Sequence, residues 1–357
     1  LKKCYDMMKK WVEYQNSTDR RNYGVRTVDG KEVPEQSDLA TIPYIQVQQC
    51  RGDHLTYDNS TPYIYSATAY AAHSADILRR TAHILGKTDD EKRYTELFEN
   101  IKRAFNDAWV NDDGSVSYYG EVSSQTAHCG ESVALDGSVT RYTYYAENTP
   151  HCPSQTAYAL AVDFELIPKD KLKNTRKYFK NSILRNNGKL TVGFLGISHL
   201  APALSKVGLD DVAFKLLEQE DNPSWLYSVK NGATTIWERW NSYIAETGTF
   251  GDVSMNSFNH YSYGAIGQWF FTDILGIRPV EFGYKSFMLA PKFGGGLTYA
   301  KGSFTSPYGK ISSAWKLHDG KFTYDCTVPT NTTATLKLPN GDIHTLVDGS
   351  YHFEINV

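Results

Sequence analysis

Apolar residues recur at three- and four-residue steps through most of the first 280 positions, as they do along the buried face of an α-helix. Short breaks rich in Gly, Pro or Asp separate these runs. The pattern predicts helices over residues 62–85, 89–109, 155–166, 169–184, 201–218 and 259–275. The first two meet at Gly86 and form a predicted helical hairpin. Most of this part of the chain is therefore predicted to be helical.

The pattern changes after Pro279 to short β-rich segments separated by turn residues. These segments cover residues 287–290, 297–304, 309–317, 322–328, 334–338 and 343–347. His318-Asp-Gly and Pro339-Asn-Gly-Asp are typical hairpin turns. We therefore expect a mainly α chain, with a helical domain over residues 1–280 and a small antiparallel β-sandwich over residues 281–357.

Two polar stretches, residues 18–50 and 110–154, lack a sustained helical period and are predicted to be long loops or insertions. The second contains Cys129 and Cys152. Whether these two form a disulfide in an oxidising compartment depends on a Cα separation that the sequence does not give. The five cysteines include no C-x-x-C pair, so no zinc knuckle is predicted and the compartment stays open.

Composition narrows the classes of function. The 357-residue chain has a net charge of −3, with 37 Lys and Arg against 40 Asp and Glu, so no excess of basic charge favours nucleic acid. No apolar run approaches the roughly 20 residues of a membrane span, so no membrane partner is predicted. The chain opens with Leu1-Lys-Lys-Cys, and we expect it to begin within a longer protein. Its oligomeric state does not follow from the sequence.

The densest group of chemically capable residues surrounds Glu238, which stands between Trp237 and Trp240 and beside Arg239. Partial burial by the indole rings disfavours the ionised form of Glu238, whereas the neighbouring guanidinium favours it. The sequence does not show which effect is larger. Aromatic rings stack on sugars while a carboxylate activates water, so the group favours sugar chemistry. The alternative is a surface Glu238–Arg239 ion pair beside two core tryptophans.

Three further positions are candidates for holding a sugar. His260 can donate a hydrogen bond to a hydroxyl or orient the carboxylate, or it can cap a helix. Asp53, in Gly52-Asp53-His54, can accept hydrogen bonds from hydroxyls, or it can form a turn or a helix cap. Trp225 can be a sugar platform or an ordinary core ring.

Long motifs follow one another along the chain. They are Gln155-Thr-Ala-Tyr-Ala-Leu, Gly193-Phe-Leu-Gly, Pro223-Ser-Trp-Leu-Tyr, Gly232-Ala-Thr-Thr-Ile-Trp-Glu-Arg-Trp, Met255-Asn-Ser-Phe-Asn-His-Tyr with Gly264-Ala-Ile-Gly, and Ala290-Pro-Lys-Phe-Gly-Gly-Gly-Leu-Thr with Ser306-Pro-Tyr-Gly. In this order they resemble the C-terminal part of bacterial α-L-rhamnosidases, glycoside hydrolase family 78. The resemblance covers nearly the whole chain.

The resemblance implies an (α/α)6 toroid followed by a β-sandwich, and hydrolysis of terminal α-L-rhamnose with inversion at the anomeric carbon. It implies that Glu238 is the general base that deprotonates water and that His260 contacts the sugar. The other expected substrate-binding residues are Asp53, His54, Trp225, Trp237 and Trp240. No metal or organic cofactor is implied, and the expected partner is a rhamnose-containing carbohydrate or glycoside.

Two departures from the family pattern change this expectation. The family's general acid lies in a segment with a Gly-Trp-x-Gly-Asp signature, which this chain lacks, so we expect the toroid to be incomplete at its N-terminus and the chain to carry only the base. The family usually has Gly-Asp-Trp where this chain has Gly52-Asp53-His54, which removes one stacking ring.

Two other functions remain open at the level of sequence. The first alternative is a non-catalytic module that binds rhamnosides without cleaving them, which applies if the chain does not act together with a general acid from another segment. An (α/α)6 glycosidase of other sugar specificity is the second alternative, because a fold does not fix a substrate.

Overall fold

The computed structural model describes residues 1–17, 25–28, 31–34, 43–46, 52–57, 61–117, 130–133, 139–142 and 153–357. They belong to two compact units, Leu1–Val207 and Gly208–Val357. The predicted pairing of Cys129 with Cys152 lies outside the described residues. Across the described residues, no helix has the length and apolar character needed to cross a membrane.

The first unit is built mainly from helices. Their bounds are α1 Tyr5–Gln15, α2 Tyr63–Ile84, α3 Thr88–Trp109, α4 Gln155–Asp163, α5 Leu172–Leu184 and α6 Phe194–Lys206. The two polar stretches each contain a two-stranded antiparallel ribbon. One pairs β1 Val25–Val28 with β2 Lys31–Pro34, and the other pairs β3 Gly130–Val133 with β4 Val139–Tyr142. The prediction of loops did not include these ribbons.

Helices α2 and α3 form the predicted hairpin. Gly86, with φ +66°, lies in the turn between them and adopts a left-handed conformation that favours glycine. The packing brings Tyr65 of α2 against Phe105 and Trp109 of α3, with ring centroids 4.8 and 5.2 Å apart. The Tyr65 hydroxyl then donates to the Ala157 carbonyl at 2.8 Å, which ties the hairpin to α4. The helical spacing of apolar residues therefore predicted the two helices of this hairpin correctly.

Two helix predictions were wrong in their bounds. The predicted helix 201–218 is two helices, α6 and α7 (Asp210–Leu217), and Gly208 with φ +71° lies in the break between them. The predicted helix 259–275 is a succession of one 3₁₀ segment, a single α-turn and one π segment: Ser262–Ile266, Gly267–Trp269 and Phe270–Ile274. The short helix α8, Trp225–Lys230, was not predicted. Apolar spacing locates a buried face but does not reveal a local break in its backbone hydrogen bonds.

The second unit contains α7, α8, a short hairpin and two four-stranded sheets. The hairpin pairs β5 Tyr243–Ile244 with β6 Thr249–Phe250. The sheet strands are β7 Ile277–Pro279, β8 Ser286–Leu289, β9 Tyr299–Ser306, β10 Gly309–His318, β11 Lys321–Val328, β12 Thr333–Lys337, β13 Ile343–Leu346 and β14 Gly349–Asn356. One sheet has the order β14-β11-β10-β9 and the other β13-β12-β8-β7.

The sheets pack around alternating buried residues, as a sandwich requires. Trp315 and Phe322 stack at 5.9 Å within the core, and the Trp315 Nε1–H donates to the Ile274 carbonyl at 2.9 Å. The predicted strands are confirmed within a few residues, while β7 and β14 were not predicted. One pairing departs from the antiparallel prediction, because β12 runs parallel to β8.

Candidate active site

Two loop segments of the second unit, residues 235–238 and 257–260, lie side by side. The backbone N–H of Glu238 donates to the Ser257 carbonyl at 2.8 Å, and the Ser257 N–H donates to Glu238 Oε2 at 2.8 Å. The backbone N–H of His260 donates to the Ile236 carbonyl at 2.8 Å. These bonds bring two of the predicted site residues, Glu238 and His260, onto adjacent segments of backbone.

The Glu238 carboxylate is half-buried and held through one oxygen. Among the described residues, the Ser257 N–H is the donor to Oε2, and none donates to Oε1. The neighbouring Arg239 does not pair with it, because its Nη2 lies 3.3 Å from Asp252 Oδ2. The alternative of a Glu238–Arg239 ion pair is therefore wrong. A fixed carboxylate whose second oxygen has no donor in the described part of the chain has the form that accepting a proton from water requires.

The turn that follows Glu238 is fixed by Ser242, which is fully buried. Its hydroxyl accepts the Arg239 N–H at 3.1 Å, and its carbonyl accepts the Asn256 side-chain amide at 2.8 Å. Hydrogen bonds from Ser254, with a smaller contribution from Arg239, lower the pKa of Asp252, so the Arg239–Asp252 pair stays charged at neutral pH. The loop around the carboxylate is thereby held by side chains rather than by regular secondary structure.

His260 is half-buried and stacks against Tyr261, with ring centroids 5.2 Å apart. Its Nδ1 accepts the Ser262 backbone N–H at 3.3 Å. A neutral imidazole that accepts at Nδ1 carries its proton on Nε2. His260 is therefore set up as a donor at Nε2, the form that a sugar hydroxyl can accept from.

The three predicted tryptophans lie in two groups of aromatic contacts, one that contains Trp225 and Trp240 and one that contains Trp237. Trp240 is only 2% exposed, with its ring stacked on Tyr263 at 3.8 Å and Trp225 edge-on at 5.4 Å. Trp225 donates its Nε1–H to the Tyr263 carbonyl at 2.9 Å. Trp237 is 6% exposed and meets Phe258 edge-on at 5.2 Å. This packing makes Trp240 a support of the Glu238 segment, and contact of these rings with a sugar stays a prediction.

Asp53 belongs to the first unit and is buried. Its carboxylate accepts the backbone N–H groups of Gly193 and Leu195 at 2.8 Å, that of Gly196 at 3.0 Å, and the hydroxyl of Thr156. Burial raises the pKa of Asp53, and the four hydrogen bonds oppose that rise. Asp53 therefore clamps the N-terminus of α6, which matches its alternative interpretation as a helix cap, while its contact with a sugar stays a prediction.

His54 packs edge-on against Phe194, the first residue of α6, with ring centroids 5.5 Å apart. Its carbonyl accepts the Phe194 N–H at 2.9 Å. Asp53 and His54 together hold this helix start through side chain and backbone. A sugar contact by His54 also stays a prediction.

Sequence reasoning missed Ser242 and Ser257 as residues of the site. Ser257 lies within the Met255-Asn-Ser-Phe-Asn-His-Tyr motif, so its place beside Glu238 is visible only once the two motifs are paired. Ser242 has no distinguishing signal in the sequence, because a serine in a polar loop is ordinary.

Comparison with known proteins identifies this arrangement. The model of the bacterial α-L-rhamnosidase six-hairpin glycosidase domain matches residues 1–274, and that of the bacterial α-L-rhamnosidase C-terminal domain matches residues 276–353. The chain belongs to the bacterial α-L-rhamnosidase family. The predicted fold class, a six-hairpin toroid domain followed by a β-domain, and the predicted family are thereby confirmed.

Relatives within the family are similar over most of the chain. An α-L-rhamnosidase of Formosa agariphila is 33% identical over 348 residues, covering 97% of this chain and 32% of the relative. One of Streptomyces avermitilis is 38% identical over 288 residues, covering 81% of this chain and 24% of the relative. The chain thus spans about a third or less of the length of these curated relatives.

A solved structure shows the same backbone arrangement. The crystal structure of Streptomyces avermitilis α-L-rhamnosidase complexed with L-rhamnose has a TM-score of 0.79 and 30% identity. The match covers 99% of this chain and 30% of that chain.

Proposed function

We propose that this chain carries the general-base part of an inverting glycoside hydrolase that removes terminal α-L-rhamnose from glycosides or polysaccharides. The observation that carries the proposal is the Glu238 carboxylate, with Oε2 fixed by the Ser257 N–H and Oε1 without a donor among the described residues. The L-rhamnose complex of the similar Streptomyces avermitilis enzyme supports the choice of sugar.

In the proposed step, Glu238 takes a proton from a water molecule while the water oxygen bonds to the anomeric carbon of rhamnose. The bond from that carbon to the glycosidic oxygen breaks, and the leaving oxygen takes a proton from a general acid. Inversion requires the two carboxyl groups to lie about 6.5–9.5 Å apart, with the water between them. The Gly-Trp-x-Gly-Asp signature of the acid is not in this sequence, so the proposal assigns the acid to a further segment of the protein.

Substrate binding is assigned first to His260, because its backbone N–H bond to the Ile236 carbonyl holds it beside the Glu238 segment and an imidazole can donate to a sugar hydroxyl. Asp53 and His54 contribute in the proposal by holding the start of α6. The remaining assigned residues are Trp225, Trp237 and Trp240.

The test is substitution of Glu238 by Gln. The amide oxygen of Gln can still accept the Ser257 N–H, so the loop keeps its position, but the amide cannot take a proton from water. We expect kcat for p-nitrophenyl α-L-rhamnopyranoside to fall by a factor of about 10³, with KM little changed. The comparison is made in a protein extended upstream from the same gene; this chain alone should show no turnover, because the proposal assigns the general acid to another segment.

Glu246→Gln is the matched control, since Glu246 is exposed and lies in the nearby β5–β6 hairpin. Its turnover should equal that of the unsubstituted protein. Normal turnover by the Glu238→Gln protein would remove Glu238 as the base. The configuration of the first product, followed by ¹H NMR, tests inversion: β-L-rhamnose is expected, and initial α-L-rhamnose would contradict it.

A further inference from the structure

A cavity of about 450 Å³ opens in the second unit beside Trp237, and of the residues assigned above only Trp237 lines it. We call it the Trp237 cavity. Its aromatic lining is Trp237, Tyr243, Phe250 and Phe258, and Asn231 and Thr234 are among its polar lining residues. The β5–β6 hairpin supplies one wall, since Tyr243 and Phe250 face each other across it.

The four rings form a continuous series of edge-to-face contacts. Centroids are 5.2 Å apart between Trp237 and Phe258, 5.7 Å between Phe258 and Phe250, and 6.3 Å between Phe250 and Tyr243. The inner ring, Trp237, is buried, whereas Phe250 is 56% and Phe258 38% exposed. Aromatic surface left in water at the mouth of a cavity is unfavourable for the protein alone, and a ligand that covers it offsets that cost.

The lining specifies the chemistry of the occupant. None of the described residues that line the cavity carries a charge, so a neutral ligand fits it better than an ionic one. Asn231 donates its side-chain amide to the Tyr227 carbonyl at 2.8 Å, so its amide oxygen is the group that it can offer a ligand. Aromatic faces beside amide and hydroxyl groups match a sugar ring, which has an apolar C–H face and a rim of hydroxyls.

We propose that the Trp237 cavity is a second carbohydrate subsite that binds one neutral sugar ring. The inference rests on the proposed function in one respect, which is that the ring belongs to a rhamnose-containing substrate. Glu238 does not line the cavity, although it follows Trp237 directly in the chain. A ring held there is therefore bound by the aromatic walls and not by the base.

Binding measured without turnover tests the proposal. In the Glu238→Gln protein, calorimetric titration measures the affinity for an α-L-rhamnosyl-(1→6)-glucose disaccharide. The subsite is expected to contribute to this affinity. Adding Phe250→Ala should weaken that affinity about fivefold, because one exposed stacking face is lost. Adding Thr234→Trp, which places a large ring in the cavity, should weaken it at least as much.

Phe282→Ala is the matched control, because Phe282 is 58% exposed and does not line the cavity. We expect it to leave the affinity unchanged, and circular dichroism should show the same fold in all variants. Equal affinity in the Phe250→Ala, Thr234→Trp and parent proteins would overturn the subsite, as would an equal loss in Phe282→Ala. Cavity-dependent binding, together with no hydrolysis of any rhamnoside by the upstream-extended protein with Glu238 intact, would instead overturn the proposed function and leave the subsite standing.

Discussion

A substitution at Asp53 tests whether this carboxylate holds the fold or binds a sugar. Oδ1 accepts the N–H groups of Leu195 and Gly196, and Oδ2 accepts the Gly193 N–H and the Thr156 hydroxyl. Replacing Asp53 by Asn puts an amide NH₂ against one of these pairs of donors. With the NH₂ on the side of Gly193 and Thr156, the Thr156 hydroxyl can turn to accept an amide N–H, so the Gly193 N–H is the one buried donor left facing another donor.

The size of the effect follows from the count of donors. A buried donor left without an acceptor costs about 1–3 kcal/mol, so Asp53→Asn should lower the free energy of unfolding of the first unit by about 1–3 kcal/mol. Access of water gives little relief, because a Cβ at Gly193 would lie 2.2 Å from the His54 carbonyl and the space around this turn is closed. Thr156→Val removes a single donor and should cost about 1 kcal/mol.

Urea unfolding followed by far-ultraviolet circular dichroism measures these changes. Asp113→Asn is the matched control, since Asp113 also accepts several hydrogen bonds, from Ser115 and Tyr178, but is exposed. Its stability should change by less than about 1 kcal/mol. If Asp53→Asn unfolds within about 0.5 kcal/mol of the parent protein and instead raises KM for a rhamnoside, the clamp is refuted and Asp53 is a sugar ligand.

Three further predictions concern other parts of the chain. Burial lowers the pKa of His73, whose ring stacks on Phe164 at 4.1 Å. The unfolded state therefore binds the proton first as the pH falls, and stability should decrease below about pH 6.5. The His73→Phe protein should show a smaller drop in Tm between about pH 7.5 and 5.5. A Cβ at Gly294 would lie 2.4 Å from the Phe214 ring, so Gly294→Val should lower the stability of the second unit by about 1–3 kcal/mol in urea unfolding. Asp252→Asn removes the ion-pair partner of Arg239 but keeps an acceptor for Ser254, so the free energy of unfolding should fall by less than about 1 kcal/mol. Its kcat should fall only because the Glu238 loop is held less firmly. An unchanged kcat would show that this ion pair does not position Glu238.

The sequence predicted the elements that periodicity controls. The hairpin of α2 and α3 and the strands from β8 to β13 fall within a few residues of their predicted bounds, because burial of one face sets their spacing. The prediction of one helix over residues 201–218 was wrong because the break in this region does not interrupt the apolar spacing. Apolar residues continue on both sides of Gly208, and the left-handed φ of that residue lies in the break between α6 and α7.

The candidate site was only partly predictable for a related reason. Glu238 and His260 were identified because they lie in long motifs, yet the bonds that bring them together run between loops about twenty positions apart. Backbone pairing of two loops leaves no periodic trace in a sequence. Asp53 was ambiguous in the sequence, because its type and its Gly-Asp setting allowed both a ligand and a cap. Its four hydrogen bonds form only when the start of α6 and Thr156 of α4 are in place.

The way Glu238 is held also bears on how the base would operate. An Arg pair would keep the carboxylate charged but would compete with water for its oxygens, and here Arg239 is directed to Asp252 instead. The Ser257 N–H supplies orientation without a full positive charge, so the carboxylate keeps its capacity to accept a proton. Because Ser257 and His260 belong to the same segment, a shift of that segment would displace the proposed base and the proposed sugar donor together. Substitutions that loosen it, such as Ser242→Ala, should therefore lower kcat and raise KM in parallel, whereas Glu238→Gln should affect kcat alone.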